Sequence, residues 1–105
     1  MLVKVEGGKT NFIDSNDNFV GYEDQYTSCC ENPFWEFIDS SGESMGINVN
    51  PNISANFTGD VVHGDMTATF PLDIGWSLRL TNNQNGFYSH FWDHDFNGDY
   101  KSGSI

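Results

Sequence analysis

The sequence predicts a mainly β domain, a compact single antiparallel sheet or a small barrel or sandwich, with one short helix near residues 33–39. Three observations carry this reading. Short stretches of alternating apolar and polar residues recur along the chain, separated by turns rich in Gly, Asn and Asp. Sixteen aromatics (nine Phe, four Tyr and three Trp) supply side chains suited to a pleated, half-buried surface. Leu is scarce and no apolar run is long enough for a helical bundle or a membrane span. A length of 105 residues predicts a single domain, 1–105, with 99–105 either a short edge strand or a frayed tail.

The elements follow in order. Leu2 to Val5 alternates weakly and ends at the turn Glu6-Gly-Gly-Lys9. Thr10 to Ile13 forms a second strand, closed by Asp14-Ser-Asn-Asp-Asn18, which is turn chemistry throughout. Phe19-Val-Gly-Tyr22 begins a third strand running toward Tyr26. Asn32 before Pro33 resembles an N-cap with Pro at the first helical position, and Phe34, Phe37 and Ile38 repeat at helical spacing up to Gly42. From Ser40 to Asp65 the chain reads as loops with one or two brief strands, around Ile47 to Val49 and Val61-Val62. Met66 to Phe70 and Ile74 to Thr81 are stronger strands; Ile74, Trp76, Leu78 and Leu80 alternate with polar positions. Asn82-Asn-Gln-Asn-Gly86 reads as a hairpin loop, with Phe87 to Phe96 returning as the partner strand. Asn97-Gly98 makes the last turn.

Charge narrows the partners. Four Lys plus Arg face fifteen Asp plus Glu, a formal net charge of −11. Binding a phosphate backbone needs clustered cations, so direct DNA or RNA binding and anionic membranes are disfavoured. The acidity is either a soluble, self-repelling surface or an imitation of nucleic acid that fills a basic groove on another protein. The N-terminal residues lack a basic segment followed by an apolar one, so no secretory signal is expected and the location is cytoplasmic. The sequons at Asn52 and Asn56 are accordingly read as chance.

The last long strand holds the least common residues. Alternation places Tyr88, His90, Trp92, His94 and Phe96 on one face, a platform for stacking and hydrogen bonding that suits a nucleobase or another planar ligand. The competing reading is that Trp92 and Phe96 fill the core, with the histidines at its margin. Arg79 is a further ligand-binding candidate, since an anionic ligand needs Lys4, Lys9, Arg79 or Lys101 to converge on the site. His90 and His94 sit about 13 Å apart along a strand, too far to share one ion. Asp93, Asp95, Asn97 and Asp99, with Gly98, reproduce the first half of a calcium loop, but position twelve is Ser104 rather than Glu and an Asn-Gly turn explains the same residues. No cofactor is expected, with calcium as the alternative. Cys29 and Cys30 are adjacent and read as reduced, structural thiols, their surroundings too acidic for thiolate chemistry. Tyr22, Cys30 and Trp35 are likewise read as structural.

Asn18-Phe-Val-Gly-Tyr22, the step Cys29-Cys-Glu31 into Trp35-Glu-Phe-Ile-Asp39, and the terminal Asn85-Gly-Phe-Tyr-Ser-His90 together resemble a family of small, largely uncharacterised bacterial and phage proteins. The resemblance covers both ends of the domain; residues 40–75 match nothing in it, and Phe91 stands where that pattern has Gly. It implies a compact β-rich fold in a prokaryotic or phage setting and no particular activity. The expected function is therefore a small non-enzymatic acidic binding protein, an accessory factor of a phage or mobile element. Such a protein counters host defence by sequestering a nucleotide-derived signal or by occupying a host protein. Its partners are a host protein or a small nucleotide-like ligand, with a homo-oligomer also open. The alternative is a calcium- or metal-dependent hydrolase using the Asp93–Asp99 loop with His90 or His94.

Overall fold

The structure, a computed structural model, describes all 105 residues. Nine strands build two antiparallel sheets and no helix forms: β1 (Leu2–Glu6), β2 (Lys9–Ile13), β3 (Phe19–Tyr22), β4 (Glu31–Ile38), β5 (Val62–Gly64), β6 (Thr67–Pro71), β7 (Ser77–Gln84), β8 (Phe91–Phe96) and β9 (Asp99–Ser104). The first sheet has the order β1-β2-β3-β8-β9 and the second β4-β7-β6-β5. The inward faces meet in an aromatic core, where Phe12 of β2 lies edge-on to Trp35 and Phe37 of β4, and Phe70 of β6 edge-on to Trp92 of β8. Edge-to-face pairing at these separations is the favoured aromatic geometry.

Local chemistry sets the turns of the first sheet. Gly7 and Gly8 both take positive φ, as a two-residue hairpin matched to strand twist requires. Asn97 and Gly98 repeat that solution between β8 and β9. Between β2 and β3, the buried Asp14 carboxylate accepts the amides of Asn16 and Asn18, each at 2.9 Å. Its other oxygen accepts the Phe57 amide at 2.9 Å, tying the long 39–61 connection to the first sheet. The indole of Trp92 lies flat across Gly103; a Cβ there would come within 2.7 Å of the ring.

Several sequence expectations are corrected. The segment expected to be helical near residues 33–39 is strand β4. Phe34, Phe37 and Ile38 match a helical period, but Pro33, Trp35 and Phe37 are the residues turned inward, and that two-residue period decides the conformation. Pro33 is tolerated because β4 is an edge strand. The amide of Trp35 points away from β7 to the Asn48 side chain, at 3.0 Å. Pro33, on the same side, therefore costs no ladder bond.

Asn82 to Gly86 is not a hairpin loop between β7 and β8. β7 already has β4 on one side and β6 on the other, so no edge remains for β8, which joins β3 and β9 instead. Asn82 faces inward and is fully buried, its amide donating to the Tyr88 and Ile105 carbonyls at 2.9 Å each. Residues 85–90 cross from one sheet to the other, so β8 begins at Phe91 rather than Phe87. Finally, Cys29 and Cys30 are joined in a disulfide in the turn before β4, not reduced. Of the brief strands read between Ser40 and Asp65, the one near Val61-Val62 forms as β5 and the one near Ile47 to Val49 is a turn instead. The remaining strand expectations hold within a few residues, and 99–105 is an edge strand closed by paired backbone bonds between His90 and Ile105.

Candidate functional site

The alternation read on the last long strand is present, but its even-numbered face points into the core. Trp92 and His94 are 2% exposed and His90 is 4% exposed, so no planar ligand reaches those rings. His94 is stacked between Trp92 and Phe96, with centroids 5.9 and 4.1 Å away, and meets the edge of Phe70. Neither of its ring nitrogens has a partner, and burial holds the imidazole below its ordinary value, with Lys101 adding to the effect. His90 bridges the sheets: Nδ1 meets the Glu23 carbonyl and Nε2 lies 2.9 Å from the Glu31 carboxylate. Tyr88 lies outside the strand and is partly exposed. Arg79 sits on the other sheet, paired with Glu36. The five ligand-binding candidates therefore do not form one accessible surface.

The calcium candidates also separate. Asp93 accepts from Lys9 Nζ at 3.2 Å and from the Tyr100 hydroxyl at 2.9 Å. Asp95 accepts the Gly98 amide at 2.8 Å inside the turn, while Asp99 lies 3.9 Å from Lys101. With Asn97 and Gly98 both at positive φ, these residues form the β8–β9 hairpin. No group of three or more His, Cys, Asp or Glu side chains is placed to hold one ion.

The outer face of the first sheet, by contrast, presents charged and apolar side chains together on an accessible surface. Directly opposed residues share a face. One row across the strands therefore reads Lys4, Asn11, Gly21, Asp93 and Ser102, and the next Leu2, Ile13, Phe19, Asp95 and Tyr100. Leu2 and Tyr100 are more than half exposed at the two edges, and Ile13 and Phe19 are half-buried between them. Gly21 leaves a notch in the first row, which the Asp93 carboxylate fills; a Cβ at Gly21 would stand 2.5 Å from Asp93 Oδ1. Asp93 is thereby 5% exposed although it faces outward. Its hydrogen bond raises the Tyr100 phenol above the ordinary value.

Beside this notch lies a shallow hollow of about 380 Å³ lined by Lys4, Glu6, Asn11, Ile13, Asp17 and Phe19. Asp17 lines it from the β2–β3 turn, where its φ is positive. Of the hollow's residues the sequence named only Lys4, as a cation that an anionic ligand would need; Glu6, Asn11, Ile13, Asp17 and Phe19 were not singled out. The signal was nonetheless there, in strand parity and in a Gly placed mid-strand between Val20 and Tyr22.

The electrostatics of the whole surface are equally definite. Every cationic side chain is already paired: Lys4 with Glu6, Lys9 with Asp93, Arg79 with Glu36, and Lys101 with Asp60 and Asp99. Asp17 and Asp95, on the outer face, have no cationic partner. Fold and surface together define a two-sheet, all-β domain with an acidic, partly apolar sheet face. Comparison with models of known protein families, with curated proteins and with solved structures finds no match.

Proposed function

We propose that this chain is a small non-enzymatic binding protein that docks the outer face of its first sheet onto a basic surface of another protein. The observation that carries this reading is the pairing of all four Lys and Arg side chains while Asp17 and Asp95 stay unpaired beside Leu2, Ile13, Phe19 and Tyr100. An anionic nucleotide would meet no free cation there, whereas a basic partner gains Coulombic attraction and covers the apolar row. The same balance favours the host-protein branch of the sequence expectation over a nucleotide-derived signal. The resemblance adds the setting of a phage or mobile-element accessory factor acting inside a bacterial cell.

Matched variants test the surface. Leu2→Lys with Tyr100→Lys places two cations at exposed positions on the outer face of the first sheet. Met45→Lys with Val62→Lys makes the same charge change at exposed positions outside that sheet. In capture from bacterial lysate, the first pair is expected to lose the partner retained by wild type, and the second to keep it. Capture should also weaken as salt rises. Equal loss in both pairs would reduce the effect to net charge and remove the docking face.

A further inference from the structure

We infer that the hollow at the β1–β3 end of this face is an anchor pocket for one arginine side chain of the partner, an inference that rests on the docking face proposed above. Charge in the hollow decides the sign of its occupant. Lys4 and Glu6 cancel at 2.9 Å and Asn11 is neutral, so Asp17 alone leaves a net charge of −1. One monovalent cation balances it. Shape and polarity decide what kind of cation. Ile13 and Phe19, half-buried cross-strand neighbours, make an apolar floor, and Asp17 joins the lining from the exposed β2–β3 turn. A metal ion or ammonium would gain nothing from that floor.

An arginine side chain uses both parts. Its methylene stem covers Ile13, and its planar, weakly hydrated guanidinium stacks on Phe19 while donating two bonds to Asp17. Lysine matches the charge but neither stacks flat nor donates in a fork. Asp17 is free for this role: its backbone amide donates to the Asp14 carbonyl at 3.2 Å, and its carboxylate makes no bond within the chain. Volume agrees, since about 380 Å³ admits one long side chain and not a folded segment.

The probe is Nα-acetyl-arginine amide, followed by amide chemical shifts of the labelled protein. Saturable shifts at Ile13, Asp17 and Phe19 are expected in roughly the millimolar range, as for a lone ion pair with some apolar contact. Asp17→Asn should weaken the half-saturation point about threefold to fivefold. Phe19→Leu, which keeps an apolar floor, should lose the preference over acetyl-lysine amide. The citrulline analogue, neutral and of the same shape, should give no saturable shift. Shifts unchanged in Asp17→Asn, shared by citrulline, or spread without saturation over the acidic surface would overturn the pocket. The capture experiment reads the docking face separately. Partner loss on Leu2→Lys with Tyr100→Lys, together with no arginine response, removes only the pocket. Arginine binding at Asp17 with capture insensitive to the face removes the docking reading instead.

Discussion

Asp14→Ala is expected to lower the stability of the fold by about 3–5 kcal/mol, measured by chemical denaturation. The carboxylate is 4% exposed and accepts four bonds: the amides of Asn16 and Asn18, the Asn18 side chain at 3.2 Å, and the Phe57 amide. Bonds to a charged acceptor contribute roughly 1.5–3 kcal/mol each, and they do not sum here because they share one group. Truncation leaves donors without acceptors where water has little access. The consequence is not confined to the turn. Phe57 forms an isolated bridge with Leu72, the residue that follows β6 of the second sheet, and stacks on Phe96 of the first at 5.2 Å, so freeing its amide loosens the seam between sheets. Asp14→Asn keeps one acceptor oxygen and should fall between wild type and alanine. A loss below about 1 kcal/mol would mean the turn holds itself without the carboxylate.

His94→Leu should act in the opposite direction and depend on pH. The wild-type ring is buried between Trp92 and Phe96 with both nitrogens unsatisfied, and an apolar replacement relieves a penalty of about 1–3 kcal/mol. Its folded-state value is lowered by burial, so on acidification the unfolded chain takes up the proton first, near the ordinary value of 6.5. Stability contributed by the neutral ring is thus complete above that pH and is lost as pH falls through the folded value. Acidification also relieves the self-repulsion of a chain at −11, which works the other way. Comparing variant with wild type cancels that common term. The melting-temperature advantage of His94→Leu should therefore widen as pH falls from 7 toward 5. An advantage independent of pH would show that the imidazole finds a partner or water when charged.

Much of the fold was legible because strand period and turn chemistry are local. Gly7-Gly8, Asp14–Asn18 and Asn97-Gly98 announced their turns, and Thr10–Ile13 and Phe19–Tyr22 their strands, without any knowledge of neighbours. What failed was decided at long range. Phe34, Phe37 and Ile38 fit a helix as well as a strand until the core chose Trp35 and Phe37 as inward residues. Asn82 carried turn chemistry, yet β7 had filled both its edges, and Asn82 went inward as a strap instead. The aromatic–histidine face turned inward for the same reason. Parity correctly grouped His90, Trp92 and His94, but sequence alone does not say which parity faces the other sheet. Once β8 lies beside β3, the answer is fixed by Val20 and Tyr22, which share its inner face. The odd-numbered residues Phe91, Asp93 and Asp95 are then the outward ones. Gly21 and Asp93 could be connected only after pairing set them opposite each other.

Docking through the outer face of the first sheet would leave its mark residue by residue. The most direct measurement is a residue-level NMR footprint of the labelled chain saturated with its captured partner. Leu2, Ile13, Asp17, Phe19, Asp95 and Tyr100 are expected to shift or broaden together while Phe34, Thr69 and Arg79, on the outer face of the second sheet, stay in place. A footprint centred on those last residues would contradict it.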